Sequence, residues 1–362
     1  MVQKSRQNNM EGLYKDAIAL LEGLISISSL SRKEDKTADL IAGFLEEKGV
    51  EINRKHNNIW AKNKYFDPDK PTILLNSHHD TVKPNKNYTR DPFTPTQEAG
   101  KLFGLGSNDA GGALVSLLSV FLFFYDKKDL KYNLIVAPTA EEEISGDHGV
   151  VSILKEIGEI DFAIVGEPTG MQMAIAEKAL LVIDATAKGT PTHAAHPNDD
   201  NAIYKAMRDI QWVEQYEFPK ISKWLGKVKM TTTVIHAGEL HNQVPAECSF
   251  VIDVRVTDAY STKEVFETIQ DNLQSEIKAR SLKRDSSSLP EEHPFVKAGK
   301  ALGRTCYGSP TSSDQALIPY PSIKMGPGES PRSHTADEFI YLKEIEEGIK
   351  IYIEILEKVV KE

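Results

Sequence analysis

The sequence predicts an α/β protein in which a layered domain, with a mostly parallel central sheet flanked by helices, is interrupted by a smaller α+β module. Three observations point there. Short apolar runs rich in branched residues at 72–75, 133–137 and 162–165 alternate with helical patterns, the signature of a layered parallel sheet. After about Lys178 the order becomes strand, helix, two strands, helix, which suits helices on one face of an antiparallel sheet. The length, 362 residues, exceeds the range in which one core usually keeps growing, so two domains are expected.

Taken in order, Leu13, Ala17, Leu20, Leu21 and Leu24 recur at helical spacing. Ser31 with Glu34 offers a capping box ahead of a second helix carrying Ala38, Ile41, Ala42 and Leu45. The run 113–125 is the longest apolar stretch; it is too short to span a bilayer and reads as a helix buried on most sides. In the second module the pattern predicts a strand over 180–187, a helix over 201–216, strands over 229–235 and 249–256, and a helix over 262–280. The polar stretch 281–292, with its serine triplet and a proline, reads as the linker back. A last helix carries Ile345, Ile349, Tyr352, Leu356 and Val359. The expected limits are 1–178 and 288–362 for the layered domain and 179–287 for the inserted module.

A net charge of −10 without a Lys/Arg run disfavours nucleic acid as a partner. Cys248 and Cys306 are too few for a disulfide framework and suggest a reducing compartment. Residues 1–10 are polar and lack the apolar core of a secretory signal, so a cytoplasmic protein without membrane association is expected.

In open α/β sheets ligands bind beyond the carboxyl ends of the strands. Here the three runs end in Asn76-Ser77-His78-His79-Asp80, Thr139-Ala140-Glu141-Glu142-Glu143 and Gly166-Glu167-Pro168-Thr169, which should converge at one rim. Singly, each has a bland explanation: a surface histidine, a solvated helix start, a turn. Jointly they crowd like charges, which is costly unless a cation neutralises them. Imidazole together with carboxylate suits zinc, and manganese or cobalt can occupy the same donors. Gly104 and Gly106 could suggest a dinucleotide loop, but Asp109 replaces its third glycine and no clear strand precedes it.

Together these segments resemble the zinc aminoacylase and carboxypeptidase family, in its acetylornithine deacetylase and succinyl-diaminopimelate desuccinylase branch. The likeness rests on Ser77-His78-His79-Asp80-Thr81-Val82, Gly104-Leu105-Gly106-Ser107-Asn108-Asp109, the acidic triplet, Glu167, and Ser333-His334-Thr335-Ala336-Asp337-Glu338. It implies a zinc-peptidase-like catalytic domain with an inserted ferredoxin-like dimerisation lid, and two zinc ions per subunit. By the same resemblance His78 and Glu167 bind one ion, Glu143 and His334 the other, and Asp109 both. Asp80 then orients His78, and Glu142 is the general base. Ala110 stands where the family often has Lys or Asn, so local hydrogen bonding there is expected to differ.

In the module, Gly189-Thr190-Pro191-Thr192-His193-Ala194-Ala195-His196-Pro197 resembles the segment whose histidine reaches an active site across a homodimer, which designates His193. Asn242-Gln243-Val244-Pro245, Asp253-Val254-Arg255 and Gly326-Pro327-Gly328 match substrate-contacting segments, with Asn242, Arg255 and Gly328 the contacts. Arg255 is suited to a bidentate grip on an α-carboxylate. The implied activity is hydrolysis of the amide bond of a small N-acyl amino acid: N-acetylornithine, N-acetylcitrulline or N-succinylornithine, in arginine biosynthesis. A dipeptidase or carboxypeptidase would use the same metals and base. A non-catalytic binding protein on this fold would be expected to have lost a ligand or the base.

Overall fold

The three apolar runs form strands that extend past the runs to include the residues closing them: Thr72–His78, Asn133–Thr139 and Phe162–Gly166. These strands pair in parallel, with Thr72–His78 in the middle. The computed structural model describes residues 2–282 and 285–361 and divides the chain into two compact units. Met1 and Glu362, at the outer limits expected for the layered domain, and Lys283 and Arg284, in the expected linker, lie outside the described residues.

The first unit comprises Met1–Ile175, Leu289–Tyr307 and Ser313–Glu362. Its sheet runs in the order Asn53–Lys55, Asn58–Lys62, Asn133–Thr139, Thr72–His78, Phe162–Gly166, Ser322–Met325, Met173–Glu177. The inner strands are buried along their whole length, as strands covered on both faces must be. Alternate side chains serve the two faces. Leu74, Ile135 and Ala163 join Trp60, Val150, Ile153 and Ile157 in one apolar cluster. The helix Gly112–Phe124 packs on the sheet and against both Val2–Ile25 and Leu342–Lys361. The segment Ser107–Phe124 is apolar and long enough to cross a membrane by length and composition, yet 89% of it is buried in the fold.

Two expectations fail locally in this unit. The capping box at Ser31 does not form, because the Ser31 hydroxyl donates to Asp80 Oδ2 (2.7 Å) and Glu34 itself is the cap of Asp35–Glu47. A short strand, Lys101–Phe103, does precede the Gly104–Asp109 loop, though it pairs with Thr96–Glu98 and Phe339–Tyr341 in a three-stranded sheet separate from the central one.

The second unit, Ala176–Ser288 with Gly308–Ser312, holds an antiparallel four-stranded sheet in the order Lys229–Ala237, Glu247–Val256, Ala179–Lys188, Glu276–Ala279. With helices Ala202–Gln215 and Thr262–Asn272 the chain order is βαββαβ, the ferredoxin-like arrangement. Asn201 caps the first helix through its side chain and Ser261 caps the second with a full capping box. The expected helix over 262–280 is corrected to a helix ending at Asn272 and a separate strand. Buried Asp209 ends it, accepting from Gln274 N (3.1 Å), Ser275 N (2.8 Å) and Ser275 Oγ (2.5 Å).

Candidate metal centre

Parallel strands that end together deliver the residues that follow them to one place. His78 is the last residue of its strand, Glu142 and Glu143 lie in the turn after Asn133–Thr139, and Glu167 directly follows Phe162–Gly166. Asp109 enters from the turn Ser107–Gly111, where the Asp109–Ala110 peptide is cis, and His334 from a loop in which its φ is 59°.

Asp109 stands between the two imidazoles: Oδ1 is 3.4 Å from His78 Nε2 and Oδ2 is 3.5 Å from His334 Nε2. Glu167 Oε1 lies 3.6 Å from His78 Nε2, and Glu143 Oε2 lies 3.1 Å from His334 Nε2. The donors fall into two groups, His78–Asp109–Glu167 and Asp109–Glu143–His334, with the ligand atoms of each group within 4.8 Å of one another. Each group offers one imidazole and two carboxylates, a set that suits zinc or a similar ion, and the shared Asp109 suits a pair of ions. Glu142 Oε2, 3.9 Å from His78 Nε2, belongs to neither group.

Charge agrees with that fit. Burial pushes the Glu142 carboxyl well above its ordinary value, with Glu167, Asp314 and Glu143 adding to the rise against the pull of His78. Burial and then Asp109 push Glu167 up to about 8. Burial alone would depress the His78 imidazole, but Asp109, Asp80, Glu142 and Glu167 raise it well above its usual value. The hydrogen bond to Glu143 raises His334 to about 9. A cluster that must hold extra protons to relieve its own repulsion has the electrostatics of a cation site.

The supporting residues hold the ligands by their backbones. Asp80 accepts from the N–H groups of Glu142 (3.0 Å) and Glu143 (3.2 Å), while its own carbonyl lies 3.0 Å from His78 Nδ1 and its carboxylate 3.4 Å away. It therefore positions the acidic turn as well as the histidine. Neighbouring His79 is buried between Thr37 Oγ1 and Asn57 O, each 2.9 Å away, and burial lowers it to about 4. Its role is structural.

Two buried carboxylates escaped the sequence analysis. Glu338 accepts from the N–H groups of Gly106 (3.2 Å), Asn108 (2.9 Å) and Asp109 (2.9 Å), so it cradles the loop that carries the shared ligand. Asp314 accepts from Thr139 Oγ1 (2.9 Å), which in turn accepts from Asn76 Nδ2 (2.9 Å), and burial pushes Asp314 up to about 6. Glu338 was legible only as the end of the His334 segment, and Asp314 stands in a polar loop with no distinguishing signal.

Gly328 also lies in the first unit, with φ 88°, where a Cβ would come within 2.5 Å of Asn108 Oδ1. The remaining expected residues lie in the second unit. His193 and Asn242 come together on a small ribbon, in which Thr192–His193 pairs with Gln243–Val244 and Ala194 N donates to Asn242 O (2.9 Å). His193 is exposed, and its Nδ1 accepts from Ala195 N (3.1 Å). The fork of Arg255 faces Asp253, Nε to Oδ1 at 2.8 Å and Nη2 to Oδ2 at 3.0 Å, so a substrate carboxylate would have to compete with that pair.

Comparison with known proteins follows the same lines. Residues 74–358 match Peptidase family M20/M25/M40. Among curated relatives, an acetylornithine deacetylase of Buchnera aphidicola is 28% identical, covering 89% of this chain and 92% of that protein. A succinyl-diaminopimelate desuccinylase of Psychromonas ingrahamii is 26% identical, covering 94% and 98%. Among solved structures, the Bacillus subtilis YXEP protein, described as a dinuclear metal binding peptidase from the M20 family, superposes with a TM-score of 0.74 at 17% identity, covering 97% and 99%.

Proposed function

This chain belongs to Peptidase family M20/M25/M40, and from that premise we propose that it is a metal-dependent amidohydrolase that removes the acyl group from the α-nitrogen of a small amino acid. N-acetylornithine is the first candidate substrate, with N-acetylcitrulline and N-succinylornithine beside it. Support comes from the names of the two relatives above and, above all, from one observation: two donor groups share Asp109, with Glu142 beside them but outside both.

His78, Asp109 and Glu167 would hold one zinc, and Asp109, Glu143 and His334 the other. When bound, the ions supply Lewis-acid charge that polarises an amide carbonyl and eases the ionisation of water. Glu142 Oε2 takes the proton from the attacking water and returns it to the leaving amine nitrogen. Asp80 keeps the Glu142 backbone in place for both transfers. His193 donates a hydrogen bond to the oxygen on which charge develops, an interaction that strengthens toward the transition state. Arg255 and Asn242 hold the substrate, Arg255 exchanging Asp253 for the α-carboxylate, and the tight turn at Gly328 lets the backbone approach it.

We further place His193 in the partner of a homodimer formed through the second unit. The strand Lys229–Ala237 is a sheet edge exposed along nearly its whole length, with apolar Val234 and Ile235, and the helix Ala202–Gln215 exposes Tyr204 and Met207. Unprotected apolar edges of this kind are usually covered by another chain. The free thiols of Cys248 and Cys306 accord with a cytoplasmic setting.

The deciding experiment is a panel of acetyl, succinyl and carbamoyl derivatives of ornithine and citrulline, assayed with zinc or cobalt, alongside dipeptides. Release of the free amino acid from an N-acyl derivative is expected. Cleavage of dipeptides alone would establish the peptidase reading that the description of the YXEP protein supports.

A further inference from the structure

The acidic triplet opens on Glu141, which belongs to neither donor group and is nevertheless buried. Its backbone is left-handed, with φ 56° and ψ 20°, a conformation that glycine adopts freely and other residues resist. Residues held this way persist where their surroundings over-determine them. Here the surroundings are the returning chain of one loop. The Glu141 carbonyl accepts from Gly146 N (2.8 Å), and its side-chain Oε2 accepts from His148 N (3.3 Å). Glu142 and Glu143 lie on the stretch that these bonds close.

The seat of that carboxylate is specific. A Cβ on Gly146 would fall on Glu141 Oε2, well inside van der Waals contact, and 2.7 Å from its Cβ and Cδ. Gly146 is not in the left-handed region, and the nearest atoms all belong to Glu141, so an alanine there would disturb that side chain rather than the backbone. Outside the loop, buried Asn58 ties both its ends, accepting at Oδ1 from Ala140 N (3.0 Å) and donating from Nδ2 to His148 O (2.6 Å). Buried Glu34 takes Glu141 N in a long bond (3.4 Å). Asn58, Glu34 and Asp80 thus hold the loop from other elements, and Glu141 closes it from within.

We propose that Glu141 is a positioning residue for the amide hydrolysis proposed above: its carboxylate, seated over Gly146, closes the loop 141–148 and so sets the place of Glu142 Oε2. Only the use made of Glu142 rests on that reading; the closure does not. A proton acceptor displaced by about an ångström from its partner loses rate steeply while substrate binding is left alone.

The test uses E141Q, E141G, G146A and E141G/G146A in the full chain. Turnover is measured at saturating zinc on whichever N-acyl amino acid or dipeptide the wild type cleaves, and amide exchange over 144–149 is followed in the metal-free protein. Glycine suits the φ of position 141 better than glutamate, yet in E141G kcat should fall about 10–100-fold with KM within about twofold of the wild type. E141Q keeps the length and an oxygen acceptor and should stay within about threefold of the wild type. G146A should lose as much as E141G, but adding it to E141G should cost nothing further, because the atoms it displaces are gone. Exchange over 144–149 should quicken on the order of tenfold in E141G and G146A and not in E141Q. Wild-type kcat in E141G, a loss carried by KM alone, or equal losses from G146A in both backgrounds overturns the proposal. A wild type that cleaves no compound of the panel refutes the hydrolytic reading instead, and exchange still decides the closure: unchanged rates in E141G and G146A overturn it.

Discussion

Glu142 and Glu338 separate two things a carboxylate can do near a metal. Glu142→Gln removes a proton acceptor while leaving every donor of both groups in place, so bound metal should be retained while kcat falls by about two orders of magnitude or more. Elemental analysis beside turnover measures both, and wild-type turnover would remove Glu142 from the chemistry. Glu338→Gln should do the reverse. One of its two oxygens becomes an amide N–H₂ facing backbone donors, which loosens the loop carrying Asp109, and metal affinity should drop about 10–100-fold with kcat largely recovered at saturating zinc. A zinc titration of activity distinguishes that from a loss of catalysis. The contrast also explains what could be read in advance. His78, Glu142, Glu143 and Glu167 announce themselves because each directly follows an apolar run, whereas Glu338 and Asp314 work through hydrogen bonds to residues far away in sequence, at separations of 229 to 232 and 175. Spacing along the chain carries no trace of such pairings.

Among the elements, the strands were legible because burial on both faces writes itself as a continuous apolar run, while the end of the second helix in the inserted unit was not. Val265, Ile269, Leu273 and Ile277 recur every four residues, so periodicity alone carries the helix on to residue 280. Tertiary structure overrides it: Asp209, on the other helix, takes the amides of Gln274 and Ser275 and turns the chain into the edge strand Glu276–Ala279, which pairs with Ala179–Lys188. Asp209→Ala should therefore leave buried donors without partners and cost about 2–4 kcal/mol. Urea unfolding of the full chain gives the magnitude, and hydrogen exchange gives the place, with protection lost first at 273–279. Unchanged protection there would mean that strand pairing alone ends the helix. The Ser31 hydroxyl makes the same point on a smaller scale, since a motif suited to a local cap is used for a long-range bond to Asp80.

For the whole molecule, the proposed homodimer turns one question about His193 into arithmetic. Suppose Glu142→Gln and His193→Ala each inactivate the enzyme. If His193 acts within its own chain, a heterodimer of the two variants contains no intact site: one subunit lacks Glu142 and the other lacks His193. If His193 acts across a two-fold interface, the subunit that keeps Glu142 receives His193 from its partner, and one of the two sites is whole. Random reassortment makes half of the dimers mixed, so about a quarter of wild-type activity should return on mixing and reassociating the two inactive proteins. Introducing charge at the exposed edge, as in V234E/I235E, should yield monomers by sedimentation and abolish that recovery, because the apolar strand that the partner would cover is then charged. Mixtures that stay inactive while sedimenting as dimers would place His193 at the site of its own subunit, whereas recovered activity in a protein that sediments as a monomer would exclude the two-fold interface and require another route for the missing imidazole.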